Sequence, residues 1–478
     1  MKSESNIKTR YESVARHLES RGQQHVLRWW GELDSAARVK LLADVESIPW
    51  DIVDPLIASH VRAKPTVAVP GDLSPPDAFG QSPRPGQEAL YEQARQRARE
   101  LIAEGKVAAF TVAGGQGTRL GLDNPKGAVV VTPVGDRTLF QIFGETVKAA
   151  RLKYGAGIPW YVMTSSANHD QTVQYFRDHG FFGLPESDVM LFRQGMLPVF
   201  DFQGRLLLES KSRLAFAPDG HGGSLKALAA GGALGDMQDR GVEIISYFQV
   251  DNPLVKPFDP LFVGLHAQTE SEMSTKVATK ADDLERVGNV CISDGKLTVI
   301  EYTELPIELA RQKDADGTRR FDCGNLAIHL LNVAFVDRIT AQSLRIPFRR
   351  AEKAVPTVDE SGLPVTPASP NAVKLEMRVF DVLGQARHPL VLVVDRGEEF
   401  SPVKNATGVD SLETSRRDQS TRACRWLEAA GVSVPRRPDG DFDVTIAIAP
   451  SLALDAEDLV GRSKALSVLR SGDAVYLE

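Results

Sequence analysis

The sequence is poor in cysteine, in long apolar runs and in clustered basic charge, and each shortage excludes a class of protein. Cysteine occurs three times, at Cys291, Cys323 and Cys424, widely spaced and with no CxxC pair. That excludes a disulfide framework and a cysteine zinc site, and it fits a reducing, cytoplasmic setting. No apolar stretch reaches membrane-spanning length, and the opening residues MKSESNIKTRYESVARH carry no apolar signal-peptide core, so no membrane partner is expected. With 56 Lys and Arg against 63 Asp and Glu the net charge is −7, and no Lys/Arg-rich block offsets it. A nucleic-acid partner is therefore not expected.

What is present is a long chain with ordinary hydrophobic content. Its 478 residues exceed what one compact core accommodates, so two or three domains are expected. Residues 7–63 show helical spacing (Tyr11, Val14, Leu18, then Val26, Trp29, Trp30, Leu33), with Asp34-Ser35 as a cap and Pro49 as a break. Residues 64–86, with Pro65, Pro70, Pro75, Pro76, Pro83 and Pro85, read as a linker or extended strap. Helices are expected over 87–104, 138–153, 169–179 and 226–238, and strands over 160–164, 189–192 and 242–250, with a further buried strand delivering the chain to the glycine-rich turn that begins at Ala113. This alternation implies an α/β fold, a largely parallel sheet with helices on both faces. Strands are also expected over 273–279, 287–292, 297–302 and 390–394, with Ser293-Asp294-Gly295 as a hairpin turn. Residues 347–370 read as an exposed excursion, and 406–478 as a small β-rich module of turns and short strands. The division expected is 1–95 (helical segment and linker), 96–405 (central domain) and 406–478 (C-terminal domain).

The chain centres on Val107–Lys126, VAAFTVAGGQGTRLGLDNPK. An apolar strand ends in Gly114-Gly115-Gln116-Gly117-Thr118-Arg119, where glycines let backbone N–H groups approach and surround a phosphate. Arg119 and Lys126 add positive charge. The third glycine of a dinucleotide fingerprint is displaced, since Leu120 stands before Gly121, and the lysine lacks the glycine and hydroxyl of a Walker loop. The loop alone is thus compatible with a phosphate nest or a plain turn. Asp251, at the end of the apolar 242–250 strand, is a costly place for a carboxylate without a partner, such as a divalent ion. A turn or capping role before Asn252-Pro253 is the alternative.

AGGQGTRLG with its downstream Pro125-Lys126 resembles the signature of sugar nucleotidyltransferases. The longer match resembles the eukaryotic-type UDP-N-acetylhexosamine pyrophosphorylases, within the UTP–sugar-phosphate uridylyltransferase family. It runs in order through Trp160–Ser165, Phe181–Leu184, Arg193–Pro198, Ala217–Gly223, Val250–Asn252, Glu301-Tyr302, Cys323–Asn325, Lys374–Asp381 and Glu399–Ala406. The resemblance implies a Rossmann-like mixed sheet of the nucleotidyltransferase, GT-A-like type. It implies that UTP and a sugar 1-phosphate, N-acetylglucosamine 1-phosphate first and its galactosamine epimer as a further candidate, give UDP-sugar and pyrophosphate. It assigns Val112, Ala113, Gly114 and Gly115 to cradling UTP, and Arg119, Lys126 and Lys374 to its phosphates. Gln194 and Gly220 would read uracil. Asp251 would hold Mg²⁺ (or Mn²⁺). His221, Glu301, Tyr302 and Asn325 would meet the sugar, and Lys404 the sugar phosphate. No oligomeric state is implied.

One residue departs from that pattern. Histidine at 221 replaces the asparagine usual in the hexosamine enzymes and resembles the UDP-glucose group, so glucose or galactose 1-phosphate is the alternative substrate. A non-catalytic nucleotide-sugar sensor is the alternative of another class. Retention of Lys126, Asp251, Lys374 and Lys404 together weighs against it.

Overall fold

The computed structural model describes residues 2–65, 71–341, 346–462 and 468–478. Two compact units emerge: 1–68, 195–224 and 346–379 form the first, and 69–194, 225–345 and 380–478 the second. None of the helices described is long and apolar enough to cross a membrane.

In the first unit α-helices form on both sides of the stretch carrying Val26, Trp29, Trp30 and Leu33, but that stretch itself, expected helical, makes only two short 3-10 turns, Gln24–Leu27 and Trp30–Glu32. Lys2–Glu19 is followed by Ser35–Glu46, whose N-cap Asp34 accepts the Ala37 amide at 2.8 Å. Pro49 separates the latter from Trp50–Leu56. Their apolar faces (Leu18, Leu41, Leu42, Val53) share one core with Phe200, Leu206, Leu214, Val373 and Leu375. The helices thus pack on two stretches assigned from sequence to the central domain. Buried Gln23 ties them together, donating to the Gly204 carbonyl at 2.8 Å and accepting the Leu206 amide at 2.9 Å. The excursion expected over 347–370 is corrected in part. Arg349–Lys353 is a strand paired with Ala372–Glu376, and only the stretch beyond it is mostly exposed. Its charged sequence, Arg349-Arg350-Ala351-Glu352-Lys353, hid a strand whose partner lies about twenty residues on.

The second unit is built on a nine-stranded mixed sheet. Its strands are β1 Val107–Val112, β2 Trp160–Thr164, β3 Val189–Arg193, β4 Ile244–Gln249, β5 Met273–Thr279, β6 Asn289–Ser293, β7 Lys296–Ile300, β8 Cys323–Asn332 and β9 Leu390–Val393. β3, β2, β1 and β4 run side by side and parallel, in that order. β8 is antiparallel to β4 and to β5, and β5 pairs in parallel with β9. The β6–β7 hairpin turns at Asp294 and Gly295, both at positive φ, as its turn sequence requires. The stretch 71–86 is a strap: Ser74 pairs with Ile292, and Phe79 exchanges amide bonds with Val391 and Val393. Residues 66–70, including Pro70, lie outside the described residues.

Helices Glu88–Ala103, Leu139–Tyr154 and Pro260–Gln268 share a core with the sheet. Thr138 caps the second through a reciprocal bond with Gln141. The helix expected over 226–238 is two, Gly223–Ala230 and Ala233–Asp239, because Gly232 adopts φ 79° between them. The β-rich reading of the C-terminal segment is also corrected. Its largest element is an 18-residue helix, Leu412–Ala429, beside two four-residue strands, Thr445–Ile448 and Ala474–Leu477. Buried positions of that helix include Ser415, Gln419 and Ser420 along with Trp426 and Leu427, so an apolar period is missing over most of its length. Residues 463–467 of this segment lie outside the described residues.

Candidate active site

Parallel β1 has β2 on one side and β4 on the other, and the chain leaves these strands in opposite directions across the sheet. Such a switch point opens a crevice at the carboxyl ends of the strands. Gly114-Gly115 follow β1, Ser165–Asn168 follow β2, Gln194 follows β3, and Asp251 follows β4.

The glycine loop is held by a residue that motif reasoning passed over. Buried Asn168 donates to the carbonyls of Ala113 (2.9 Å) and Gly115 (3.1 Å), and its own carbonyl accepts the Ser165 amide at 2.8 Å. With these carbonyls turned onto Asn168, the amides of Gly114, Gly115 and Gln116 donate to no group among the described residues. This is the donor-rich arrangement an anion needs. The rest of the loop closes on itself: Gly117 donates to Asn124, and Lys126 to Gly115 at 3.1 Å. The signal for Asn168 was a polar run, SSAN, directly after an apolar strand.

Gln194 lies against this loop. It is 8% exposed, and a Cβ placed on Gly114 would sit 2.9 Å from its side-chain oxygen. Glycine at 114 therefore leaves room for the Gln194 side chain. Lys126 Nζ meets Asp251 Oδ2 at 3.4 Å, with both side chains mostly buried. The cation expected at the phosphates and the carboxylate expected at the metal are thus neighbours, though 125 residues apart. Arg119 is exposed on the short helical turn Gly117–Leu120.

The Asp251 turn is joined to the segment carrying Lys404. Val403 donates its amide to the Asp251 carbonyl at 2.8 Å. Asn252, buried, donates to the Glu399 carbonyl at 2.7 Å and accepts the Ser401 amide at 3.1 Å. Lys404 itself is more open, with Nζ 3.3 Å from Asp410 and over the Phe400 ring at 5.4 Å.

Asn325 sits at a bulge in β8, where the pairing with β5 shifts register before His329 and Ala327 takes φ 55°. Its side-chain oxygen accepts the Ala327 amide at 3.0 Å. Bulges of this kind re-aim side chains. Glu301 and exposed Tyr302 follow β7, in a turn where Glu304 donates to the Glu301 carbonyl.

Gly220, His221 and Lys374 belong to the first unit. Gly220 has φ 83° and packs onto the Met377 backbone, while Met377 donates to Asp219 and Gly222 to Met377 at 2.7 and 2.8 Å. The glycines of PDGHGG thus allow close approach to the chain just after Lys374. His221 Nδ1 accepts the Val379 amide at 3.3 Å, and burial together with Arg378 pushes the imidazole down to about 4. It is neutral near pH 7 and unsuited to carrying a proton there.

No group of three or more His, Cys, Asp or Glu among the described residues forms a metal cage. Burial pushes the Cys291 thiol up to about 12, and those of Cys323 and Cys424 up to about 11, so none is an activated nucleophile.

The chain has extended similarity to known proteins. The profile of the UTP–glucose-1-phosphate uridylyltransferase family matches residues 80–417. The chain is 36% identical to mouse UDP-N-acetylhexosamine pyrophosphorylase-like protein 1, covering 93% of each. It is 37% identical to the UDP-N-acetylglucosamine pyrophosphorylase of Saccharomyces cerevisiae, over 75% of this chain and 76% of that one. The crystal structure of the Trypanosoma brucei uridine diphosphate N-acetylglucosamine pyrophosphorylase superposes with a TM-score of 0.80 at 25% identity, covering 98% of each chain. A glycine nest at the switch point and these extended similarities lead to one conclusion: the chain belongs to the UTP–glucose-1-phosphate uridylyltransferase family.

Proposed function

We propose that this uridylyltransferase joins UTP to N-acetylglucosamine 1-phosphate, on a GT-A-like nucleotidyltransferase fold, in a cytoplasmic setting. A phosphate oxygen of the sugar 1-phosphate attacks the α-phosphorus of UTP. The bond to the β-phosphate breaks, and pyrophosphate leaves with the electron pair. The attacking oxygen is already ionised near pH 7, so the site must align two anions and offset their charge rather than remove a proton.

The observation that carries the reading is the unsatisfied amide nest of Gly114–Gln116 beside the Lys126–Asp251 pair. By the resemblance, Val112–Gly115 cradle UTP, Arg119, Lys126 and Lys374 balance its phosphates, and Gln194 and Gly220 read uracil. His221, Glu301, Tyr302 and Asn325 face the sugar, and Lys404 supports the reacting phosphate. Asp251 fits Mg²⁺ (or Mn²⁺): one carboxylate with a long 3.4 Å contact to lysine suits an ion held mainly by phosphates and water. Such an ion would supply further charge neutralisation at the phosphates.

The preference for an N-acetylated sugar is supported by the names of the relatives and by Gly324-Asn325 and Phe400–Ala406. His221 favours the second reading, glucose or galactose 1-phosphate. Pyrophosphate release from UTP with a panel of sugar 1-phosphates and Mg²⁺ separates the two. Higher kcat/KM for an unacetylated sugar overturns the first. UTP binding with no pyrophosphate release from any sugar makes the protein a sensor.

A further inference from the structure

Behind the Asp251 turn lies a charge cluster that the proposed chemistry does not use. Lys276, in the middle of β5, is fully buried. Its Nζ donates to Asp259 Oδ2 at 2.7 Å and to both Glu399 oxygens at 2.8 and 2.6 Å, and it lies 5.1 Å from the centre of the Phe262 ring. Asp259 caps the helix Pro260–Gln268 through the Leu261 amide at 2.9 Å. Glu399 is 1% exposed. Burial and the Asp259 charge raise its carboxyl against the pull of Lys276, and Lys276 holds Asp259 low despite burial. Lys256 and Arg422 also face these carboxylates.

Ionic stabilisation is a poor reason for such a cluster, because well-packed apolar side chains of similar volume serve a core equally well. Its connections give a better one. Glu399 begins the segment that ends at Lys404. The Glu399 carbonyl is held by Asn252, Ser401 donates to Asn252, and Val403 donates to Asp251. Ser401 is further clamped by Asp418 at 2.7 Å and Ser415 at 2.9 Å. One buried ammonium therefore ties β5 and a helix N-terminus to the strip of chain that leads through Val403, bonded to the Asp251 carbonyl, to Lys404.

We propose that Lys276 is a positioning residue for the reaction: through Glu399 it fixes the Phe400–Lys404 segment, and so the place of the Lys404 ammonium relative to Asp251. The inference rests on Lys404 acting at the reacting phosphate. Lys276 acts on turnover and leaves the Gly114–Gln194 nest, which it does not touch, able to bind UTP.

The test is a kinetic double-mutant cycle on the full chain, with Lys404→Ala, Lys276→Met and the milder Glu399→Gln, which leaves Lys276 paired with Asp259. Lys276→Met and Glu399→Gln should each lower kcat at least about tenfold with the KM for UTP within about threefold. Combined with Lys404→Ala, either should add no further loss, because residues acting through one group are not additive. If Lys276→Met fails to fold, Glu399→Gln alone decides. Full turnover in Glu399→Gln, or losses that multiply with that of Lys404→Ala, overturns the proposal. Full turnover in Lys404→Ala alone would instead overturn the role of Lys404, a separate failure.

Discussion

The packing of Gln194 on Gly114 makes a sharp prediction. Gly114 has a backbone conformation open to alanine, so Gly114→Ala tests space alone. The new Cβ would lie 2.9 Å from the Gln194 oxygen and 3.5 Å from Ser165 Cβ. The first is well inside van der Waals contact, and Gln194 is anchored by its amide to the Thr164 carbonyl at 2.7 Å, so its side chain must swing. If the Gln194 side-chain amide reads uracil through one donated and one accepted bond, each worth about 1 kcal/mol, the loss is about 1–3 kcal/mol, or about 5- to 150-fold in affinity. Titration calorimetry should show weakened binding of UMP, UDP and UTP alike, with the preference for UTP over CTP reduced. Gly115→Ala is the contrast. Its Cβ would meet Lys126 Cδ at 3.7 Å, an ordinary contact, so the fold is undisturbed and the loss should grow with the number of phosphates. Wild-type affinity and base preference in a folded Gly114→Ala protein would refute the assignment of Gln194.

Lys404→Ala should lower kcat about 100- to 1000-fold while UTP affinity by calorimetry stays within about twofold, since the lysine stabilises charge at the reacting centre. His221 is held low by burial, to about 4, so the unfolded chain binds its proton first as pH falls. The stability it contributes is present above about pH 6.5 and is lost between there and about pH 4, at most about 3 kcal/mol. His221→Asn should flatten that part of the pH–stability curve in urea titrations and leave the pH profile of kcat above pH 6 unchanged. Gly264→Ala would press a methyl group onto the Ala94 backbone where helices Glu88–Ala103 and Pro260–Gln268 touch, and should cost at least about 2–3 kcal/mol in chemical denaturation.

Local chemistry carried much of the architecture into the sequence. The 160–164 and 273–279 strands, the Thr138 and Asp34 caps and the Asp294-Gly295 turn all depend on side chains within a few residues of each other. The glycine loop and Asp251 stood out for the same reason, being polar or unhindered residues at the ends of apolar strands. The helix Leu412–Ala429 did not stand out, because polar residues fill part of its buried face.

Tertiary structure alone decided which of these residues meet. Lys126 reaches Asp251 across 125 positions, and Lys276 reaches Glu399 across 123. Asn168 shapes the loop from 55 residues beyond Ala113. No periodicity encodes such pairs. The first and the last exist because parallel strands bring their carboxyl ends to one edge of the sheet, and the Lys276 pair because the chain after β9 folds back beside β5, whatever the length of chain between them. The sequence by itself determined the reaction class through the resemblance that its ordered motifs carry, whereas the local chemistry of the loop alone left a phosphate nest and a plain turn open. The fold determined how the loop carbonyls are turned away, which cation faces which carboxylate, and what holds Lys404, because those depend on close contact in three dimensions.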